Sequence, residues 1–472
     1  MRDSRQIYID WMMLGAFLIV FGSMLWSIDN FSLSIPYYDE WDTEANWLYR
    51  HYENNSLGIS EVLAPHNGHR LILTRLTALA LYIINGGWDP QLQMIVSALL
   101  HAIICITLLR CFFTDDQGSW SLLPILLTVI LFAIPFSWIS ITVAFQTQFY
   151  FMVLFSILAL QSLTNSQYLL GYGLSILAMS SMTPGAFVLP AFAGATLVYA
   201  MQSRKITKNQ ILQFIISILL FYLFILTLHE EPAAQAYFAQ HIHGFLISLL
   251  ATISWPYRVS LGIGLAIYTP LMFYFIWNIK TLRGSFFLFS LGIFMICQIL
   301  AMAYFRGGEG VPPANRYWEI MIIGIWLNGI CAWHITREKN IQFSKLFVAL
   351  WLFLAAIGLA AIGYQSLVDG LPDRKADSLA AQSLILEYVA TKDREVFLEK
   401  TPSQTSHLNT NALITLLEDD TIRELLPSSL DGNSQDRVRP IKLFLFYLAP
   451  LIFAFGCILH IYSTIKNKNL ME

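Results

Sequence analysis

The sequence has few charged residues, because lysine, arginine, aspartate and glutamate make up only 12% of its 472 positions. An ordinary soluble domain carries about twice that share, roughly 25%. This deficit excludes a soluble enzyme, and the 56% of hydrophobic residues excludes a disordered chain. Basic residues are not in excess either, with 28 lysines and arginines against 31 aspartates and glutamates. No nucleic-acid partner is therefore expected.

Cysteine is also scarce. The five cysteines fall in or beside apolar runs, with no CxxC pair and no cluster of histidines and cysteines. This pattern argues against a disulfide framework and against a structural zinc site. A dinucleotide-binding fingerprint is missing too, since Gly262-Ile263-Gly264 lacks the third glycine and lies in an apolar run. No cofactor is expected.

Long apolar runs, in contrast, are abundant, and a bilayer-spanning helix needs about 20 mostly apolar residues. Twelve runs are candidate spans: 11–29, 91–113, 119–138, 142–163, 168–183, 184–201, 209–228, 258–279, 284–305, 317–334, 344–364 and 441–465. The fifth and sixth are short and meet at Thr183-Pro184-Gly185. The chain is therefore predicted to be an all-α polytopic membrane protein with about twelve transmembrane helices.

The distribution of positive charge predicts the orientation of these spans. With the N terminus inside, thirteen lysines and arginines fall in cytoplasmic segments and six in the shorter external connections. Cytoplasmic loops carry such an excess, so both termini are predicted to be cytoplasmic. This orientation requires that 70–86 and 243–257 do not span. Each has about 15 residues with polar flanks, which predicts helices lying against the outer face.

Three external segments result from this topology, namely 30–90, Arg306–Arg316 and 365–440. The last is a small polar segment before the final span and cytoplasmic tail at 441–472. Its helical patches are predicted at 376–390 and 412–426. Residues 1–364 then form the transmembrane module, and the loop 30–90 within it contains most of the candidate catalytic residues.

Four carboxylates follow the first span within six residues: Asp39, Glu40, Asp42 and Glu44. If this stretch is helical, apolar residues at i, i+4, i+7 and i+11 form one stripe, consisting of Trp41, Ala45, Leu48 and Tyr52. The pattern predicts a helix whose apolar side lies in the membrane interface and whose acids face water or a cavity. A solvated loop with ordinary surface acids also fits the pattern.

A second polar cluster lies further along the same loop. Two histidines, an amide and an arginine occur within five residues: His66, Asn67, His69 and Arg70. Such a group could bind a phosphate or a sugar, and it also fits a helix-entry loop at the lipid headgroups. Histidines three residues apart with distant carboxylates are a weak metal signature, so no required metal is expected.

The segment Arg306–Arg316 is short and rich in glycine. Glycines let backbone N–H groups approach an anion, and Arg306 and Arg316 are each able to hold a phosphate through two hydrogen bonds. A flexible turn whose arginines contact lipid headgroups fits the same residues.

One span, an acidic pair at the start of a long external loop, surface-lying helices and many further spans together resemble the GT-C membrane glycosyltransferases. The similarity is to the protein O-mannosyltransferase and aminoarabinose-transferase type, and to related uncharacterised bacterial membrane proteins. The layout resemblance covers most of residues 1–364. The motif resemblance covers only about 30–90, where the family's acidic pair falls on Asp39-Glu40.

This resemblance implies a polyprenyl-phosphate-linked sugar as donor, an unknown glycan, lipid or protein as acceptor, and chemistry on the non-cytoplasmic face. It implies that Asp39 is the catalytic base of an inverting transfer, with Glu40 or Asp42 orienting the acceptor or holding Asp39. The leaving phosphate would then require cationic partners. The candidates are His66, His69, Arg70, Arg306 and Arg316, with Asn67 as a further substrate ligand. A bacterial inner membrane is the expected location.

Two other functions remain open. Twelve spans with both ends inside also describe many secondary transporters, whose coupling residues lie near mid-membrane. Against this, His101, His334 and His460 are expected to be isolated, and Glu319 is expected near a span end. An O-antigen polymerase or ligase, which also uses lipid-linked sugars, is the other alternative.

Overall fold

The computed structural model describes residues 4–115, 122–203, 206–228, 235–257, 260–281, 285–308, 314–337, 344–431 and 436–469. It is 83% helical, and the chain is therefore all-α, as predicted. Residues 309–313 of the predicted Arg306–Arg316 segment lie outside the described ranges.

Nine helices in the described part of the chain are long and apolar enough to cross a membrane, as in a multi-pass membrane protein. They are Gln6–Phe31, Pro90–Phe113, Ala144–Thr164, Thr183–Met201, Lys208–Ile225, Phe286–Phe305, Asn315–Arg337, Ser344–Thr391 and Arg439–Lys466. Each corresponds to one of the twelve predicted spans. The helix beginning at Asn315 is the most buried, whereas Lys208–Ile225 has most of its side chains exposed.

The other three predicted spans correspond to shorter helices or to helices with a shorter apolar stretch, so a count of twelve stays a prediction. These helices are Leu122–Ala133, Tyr168–Ser181 and Leu261–Thr281. The first ends well before the predicted residue 138 because Pro135 follows, and a residue before proline is disfavoured in helical conformation. Met182 is extended between Tyr168–Ser181 and Thr183–Phe187, so the chain breaks at the predicted place.

The two runs predicted to lie flat also form short helices. These are Ile72–Asn85, with 14 residues, and Ile242–Ser254, with 13. Both are shorter than the ~20 residues that a bilayer span needs. Ile72–Asn85 packs against the helix Trp41–Tyr49.

The first and last long helices pack side by side along the bundle. Added Cβ atoms at Gly15 and Gly22 would lie within 3 Å of the backbone of the last helix, at His460 and Phe453. Small residues at such positions let two membrane helices approach closely. This contact brings the end of the first helix, just before residue 32, close to the start of the last helix, just after residue 438.

The polar segments 32–89 and 371–431 fold together at one end of the bundle, and we call them the cap. The cap contains the hairpin strands Pro65–His66 and His69–Arg70 and ten helices or helical turns. The helices are Trp41–Tyr49, Arg50–Glu53, Ile59–Leu63, Ile72–Asn85, Leu371–Thr391, Arg394–Phe397, Pro402–Thr405, Thr410–Glu418, Asp420–Glu424 and Ser428–Asp431. One hydrophobic core joins the two segments, with Trp41 and Tyr49 packed among residues such as Ile385 and Leu417.

The second cap segment begins as a continuation of a membrane helix. Ser344–Gln365 continues through a π-helical turn, Ser366–Gly370, into Leu371–Thr391. The predicted patch 376–390 lies in this helix. The predicted patch 412–426 is interrupted at Asp419, whose side chain accepts from the N–H of Ile422 and starts a new helix.

The predicted acidic helix exists, but it is π-helical from Trp41 to Tyr49. A π-helix has more residues per turn than an α-helix, so residues 40, 44, 45 and 49 share one side. Trp41, Ala45 and Leu48 are fully buried against the second cap segment, not in a membrane interface, and Tyr52 is exposed. The predicted outward face for the acids is wrong for Glu40 and Glu44, which are both buried.

The expectation that His101 is isolated among the spans is wrong. Nδ1 of His101 lies 3.3 Å from Oε2 of Glu319, and both side chains are buried. The hydroxyl of Tyr150 donates to Oε1 of the same glutamate at 2.9 Å. Polar groups in a membrane pair in this way because solvation is not available there.

Candidate active site

A β-hairpin with a two-residue turn positions the second polar cluster. Asn67 and Gly68 form its turn with φ of 49° and 73°, and His66 pairs with His69 across it. Asn-Gly favours this turn because both residues tolerate positive φ. Sequence analysis treated the stretch as a loop, although Asn-Gly between two short runs is the usual hairpin signal. The hairpin is tied to the bundle where Thr183 Oγ1 donates to the carbonyl of Gly68 at 2.8 Å.

Asp39 contacts the first strand of the hairpin. Its Oδ1 lies 3.2 Å from Nε2 of His66, and the Asp39 side chain is 30% exposed. Burial by itself would raise the pKa of Asp39, but the hydrogen bond and charge of His66, with Arg316 and His407, outweigh it. The pKa therefore lies below its usual value. Asp39 is an ionised, accessible carboxylate at neutral pH.

Asp42 forms a second pair, with a residue from the other cap segment. Oδ2 of Asp42 lies 3.4 Å from Nε2 of His407, and the Asp42 side chain is 45% exposed while that of His407 is 4% exposed. His407 also acts electrostatically on Asp39, so the two carboxylates lie near the same histidine. The result is a row of two carboxylates, each with a histidine, which we call the carboxylate site.

Glu40 is turned away from this site. It is fully buried, and its two carboxylate oxygens accept from the backbone N–H groups of Tyr37 and Phe145, both at 3.1 Å. Burial raises its pKa, although these two bonds and the charge of Arg374 act in the opposite direction. Glu40 therefore links the start of the acidic helix to the break at residues 143–146, and it has no surface for a ligand.

Glu44 lies one turn further on and is buried at 1% exposure. Gln93 and Trp88 are its polar neighbours, but neither makes a regular hydrogen bond to it. Burial and the charge of Glu40 raise its pKa well above the usual value. Folding therefore favours the protonated form of this carboxyl group.

Glu44→Gln is expected to stabilise the protein increasingly as the pH rises. A carboxyl whose pKa is raised on folding stabilises the fold fully only below its unfolded pKa, 4.5, and that contribution is lost toward the higher folded pKa. Glutamine does not titrate, so melting midpoints of variant and wild type should separate progressively as the pH rises above 4.5. Glu387→Gln, on the exposed face of a cap helix, is the matched control. A constant difference across this range would contradict the assignment.

His69, on the second strand, contacts the broken helix pair. Its Nδ1 lies 3.0 Å from Oγ1 of Thr183. Because that hydroxyl already donates to the carbonyl of Gly68, Nδ1 of His69 is the donor and Nε2 carries a lone pair. Burial, together with the charges of Arg306, His66 and Arg316, lowers the pKa of His69 to about 3. His69 is therefore neutral and offers a hydrogen-bond acceptor, not a positive charge.

The three predicted arginines occupy different places. Arg306 lies over the rings of Tyr237 and Tyr317, at 5.2 and 5.8 Å from their centres. Arg316 lies 5.1 Å from the centre of the Tyr317 ring, and its charge acts on Asp39. Arg70 donates to the carbonyl of Thr227 at 3.1 Å, at the end of Lys208–Ile225.

A cavity of about 390 Å³ lies beside the hairpin, between helix ends. Most of its walls are apolar, with Phe187, Ile225, Met302 and Phe305 among the lining side chains. The polar lining groups include Asn67, His69, Gln298 and Arg306. Gln298 donates to the carbonyl of Pro184 at 2.9 Å, while its Oε1 has no hydrogen-bond donor within the described part of the chain.

The hairpin therefore connects two features. His66 faces the carboxylate site, while Asn67, which lies 2.9 Å from the His66 ring, and His69 line the apolar cavity. Of the predicted residues, His66 and Arg316 act on Asp39, whereas Asp42 pairs with His407. Arg306 lies at the cavity. Glu40 and Arg70 bind backbone groups. Sequence analysis missed His407, which is 365 residues from Asp42 and is preceded by no recognisable motif.

Comparison with known proteins gives no family: the chain matches no protein-family model and no curated protein. Within the described ranges, no three side chains of histidine, cysteine, aspartate and glutamate are grouped as metal ligands would be.

Proposed function

We propose that the protein is an inverting membrane glycosyltransferase that moves a sugar from a polyprenyl phosphate to an acceptor at the cap. The resemblance of residues 30–90 to the GT-C enzymes suggests this activity. The single observation that carries it is the hairpin 65–70, which joins an ionised, accessible carboxylate to an apolar cavity with an arginine in its wall. A lipid-linked sugar needs both features at the membrane surface.

Asp39 acts as the base in this proposal. It removes the proton from an acceptor hydroxyl while the hydroxyl oxygen attacks the anomeric carbon of the donor. The bond from that carbon to the phosphate oxygen breaks, and its electron pair leaves with the polyprenyl phosphate. Asp39 is well placed because its carboxylate is ionised and 30% exposed, so it can reach a proton on a bound molecule.

The apolar cavity suits the other end of the donor. A volume of about 390 Å³ holds the first part of a polyprenyl tail, while the rest of the tail stays in the bilayer. Arg306 carries the positive charge that a lipid phosphate requires. His69 Nε2 and Gln298 Oε1 are acceptors that hydroxyl groups of the ligand would satisfy.

The test uses purified protein in lipid nanodiscs with a panel of radiolabelled polyprenyl-phosphate sugars. Free polyprenyl phosphate is the readout, because slow transfer to water produces it without the natural acceptor. Release from at least one donor is expected. The proposal would be contradicted if the protein neither released polyprenyl phosphate from any donor nor bound any donor.

Arg306→Ala is expected to weaken binding of the polyprenyl-phosphate sugar by about 10- to 100-fold, since a hydrogen bond to a charged group contributes about 1.5–3 kcal/mol. Donor affinity is measured by equilibrium binding to nanodiscs. Arg394→Ala is the matched control, because Arg394 is exposed and pairs with Glu418 in the cap. Equal affinity in wild type and Arg306→Ala would remove Arg306 from the donor site.

A second candidate function, proton-coupled transport, is favoured by one observation. The buried group formed by His101, Tyr150 and Glu319 is the type of ionisable network that transporters use. Proton-dependent uptake of a solute into vesicles, abolished by Glu319→Gln, would support this function. Proton-coupled transport would be excluded if wild-type vesicles showed no proton flux and the Glu319→Gln variant still released polyprenyl phosphate.

A further inference from the structure

We propose that the carboxylate site, completed by His407, binds the acceptor as a saccharide with neighbouring hydroxyl groups. The identification of the bound saccharide as the acceptor rests on the proposed function. The binding site itself stands on the contacts of the cap.

The turn that carries His407 is fastened to the acidic helix by two hydrogen bonds. The N–H of Tyr38 donates to the carbonyl of Ser406 at 2.7 Å, and the indole of Trp41 donates to the hydroxyl of Ser406 at 3.1 Å. Tyr38 and Ser406 both have positive φ, 50° and 58°. Such conformations are costly for residues other than glycine, and they persist where surrounding contacts hold them. The turn therefore has a fixed position beside Asp39 and Asp42.

His407 has a donor that the protein does not use. Its Nδ1 accepts from the backbone N–H of Asn409 at 2.9 Å, so the ring hydrogen is on Nε2. Nε2 lies 3.4 Å from Oδ2 of Asp42 but is not aligned for a hydrogen bond, and no other described residue accepts from it. The ring is 96% buried and leaves this one N–H directed at the carboxylate site. A buried donor without an acceptor is costly, and a ligand oxygen would satisfy it.

The groups at this site match a polyol more closely than a cation. Two carboxylates accept hydrogen bonds from hydroxyls, while Nε2 of His407 donates one, and a hydroxyl is able to do both. Positive charge is already present, since the guanidinium of Arg316 acts on Asp39. Tyr38, the residue before Asp39, has a half-buried ring that is stacked on Tyr37 at 4.0 Å. Aromatic faces pack well against the C–H groups of a sugar ring.

Direct binding of soluble sugars tests the site without any lipid donor. Saturation-transfer NMR on the full chain in nanodiscs would screen glucose, galactose, mannose, N-acetylglucosamine and their disaccharides, with ethanolamine as the amine probe. At least one saccharide is expected to bind. Asp42→Asn and His407→Gln are each expected to weaken that binding about tenfold or more, because each loses a hydrogen bond to a charged or buried partner.

Asp420→Asn and His51→Gln are the matched controls, since Asp420 is exposed and His51 contacts Ser56 at the surface. Melting curves of all variants verify folding. The proposal would be overturned if the wild-type protein bound no saccharide. It would also be overturned if binding survived either Asp42→Asn or His407→Gln. Ethanolamine bound in place of sugars would overturn the saccharide assignment. Saccharide binding without polyprenyl phosphate release would refute the donor chemistry and leave this site standing.

Discussion

Asp39→Asn is expected to lower polyprenyl phosphate release by about 10²- to 10⁴-fold, the usual contribution of a general base. Asparagine keeps the size of the side chain but cannot accept a proton at neutral pH. Asp39 is partly exposed at the surface of the cap, so the substitution should not disturb folding. The measurement is the initial rate of release from the preferred donor. Asp420→Asn, on an exposed cap helix, should retain the wild-type rate.

The pH dependence of release gives an independent check of this role. Release requires ionised Asp39, so it should fall as the pH falls through the pKa of Asp39. His66 lowers that pKa, and His66→Gln should therefore move the acid limb of the profile to higher pH. Full activity of Asp39→Asn, or an unmoved acid limb in His66→Gln, would show that another group is the base.

Glu40→Ala is expected to lower the stability of the fold by about 2–4 kcal/mol, because one buried and one part-buried N–H group lose their acceptors. Those groups belong to Tyr37 and Phe145, which connect the cap to the bundle. The change should appear as a lower melting midpoint of the purified protein. It should also reduce donor release, since Asp39 directly precedes Glu40.

Glu40→Gln separates these two effects. Its amide oxygen still accepts one of the two N–H groups, so its loss of stability should be smaller than that of alanine. A variant that melts like wild type but releases no polyprenyl phosphate would contradict the structural role and place Glu40 in the chemistry. Equal melting midpoints for Glu40→Ala and wild type would also contradict the structural role of Glu40.

Much of the bundle is predictable from composition. Nine of the twelve predicted spans coincide with long apolar helices, because a membrane helix needs only a long run of apolar residues. The break at Thr183-Pro184-Gly185 is equally local, since proline and glycine interrupt helices by their own conformational preferences. The orientation of the bundle and the count of twelve stay predictions.

The candidate site is less predictable. The acidic stretch after the first span was recognised, but α-helical spacing placed all its acids on the outside. In the structure Glu40 and Glu44 are buried, and the helix from Trp41 to Tyr49 is π-helical and packs against the second cap segment. The Asn-Gly hairpin, in contrast, was a local signal that sequence analysis did not use.

The sequence by itself determined that this protein is an all-α membrane protein, and that carboxylates, histidines and arginines are concentrated between its spans. These properties follow from hydropathy and residue type, which act locally. Only the tertiary structure decided which of these groups meet: Asp39 with His66, Asp42 with His407, and His69 with Thr183. Such pairs join residues far apart in the chain, and their geometry depends on helix packing that no local pattern encodes.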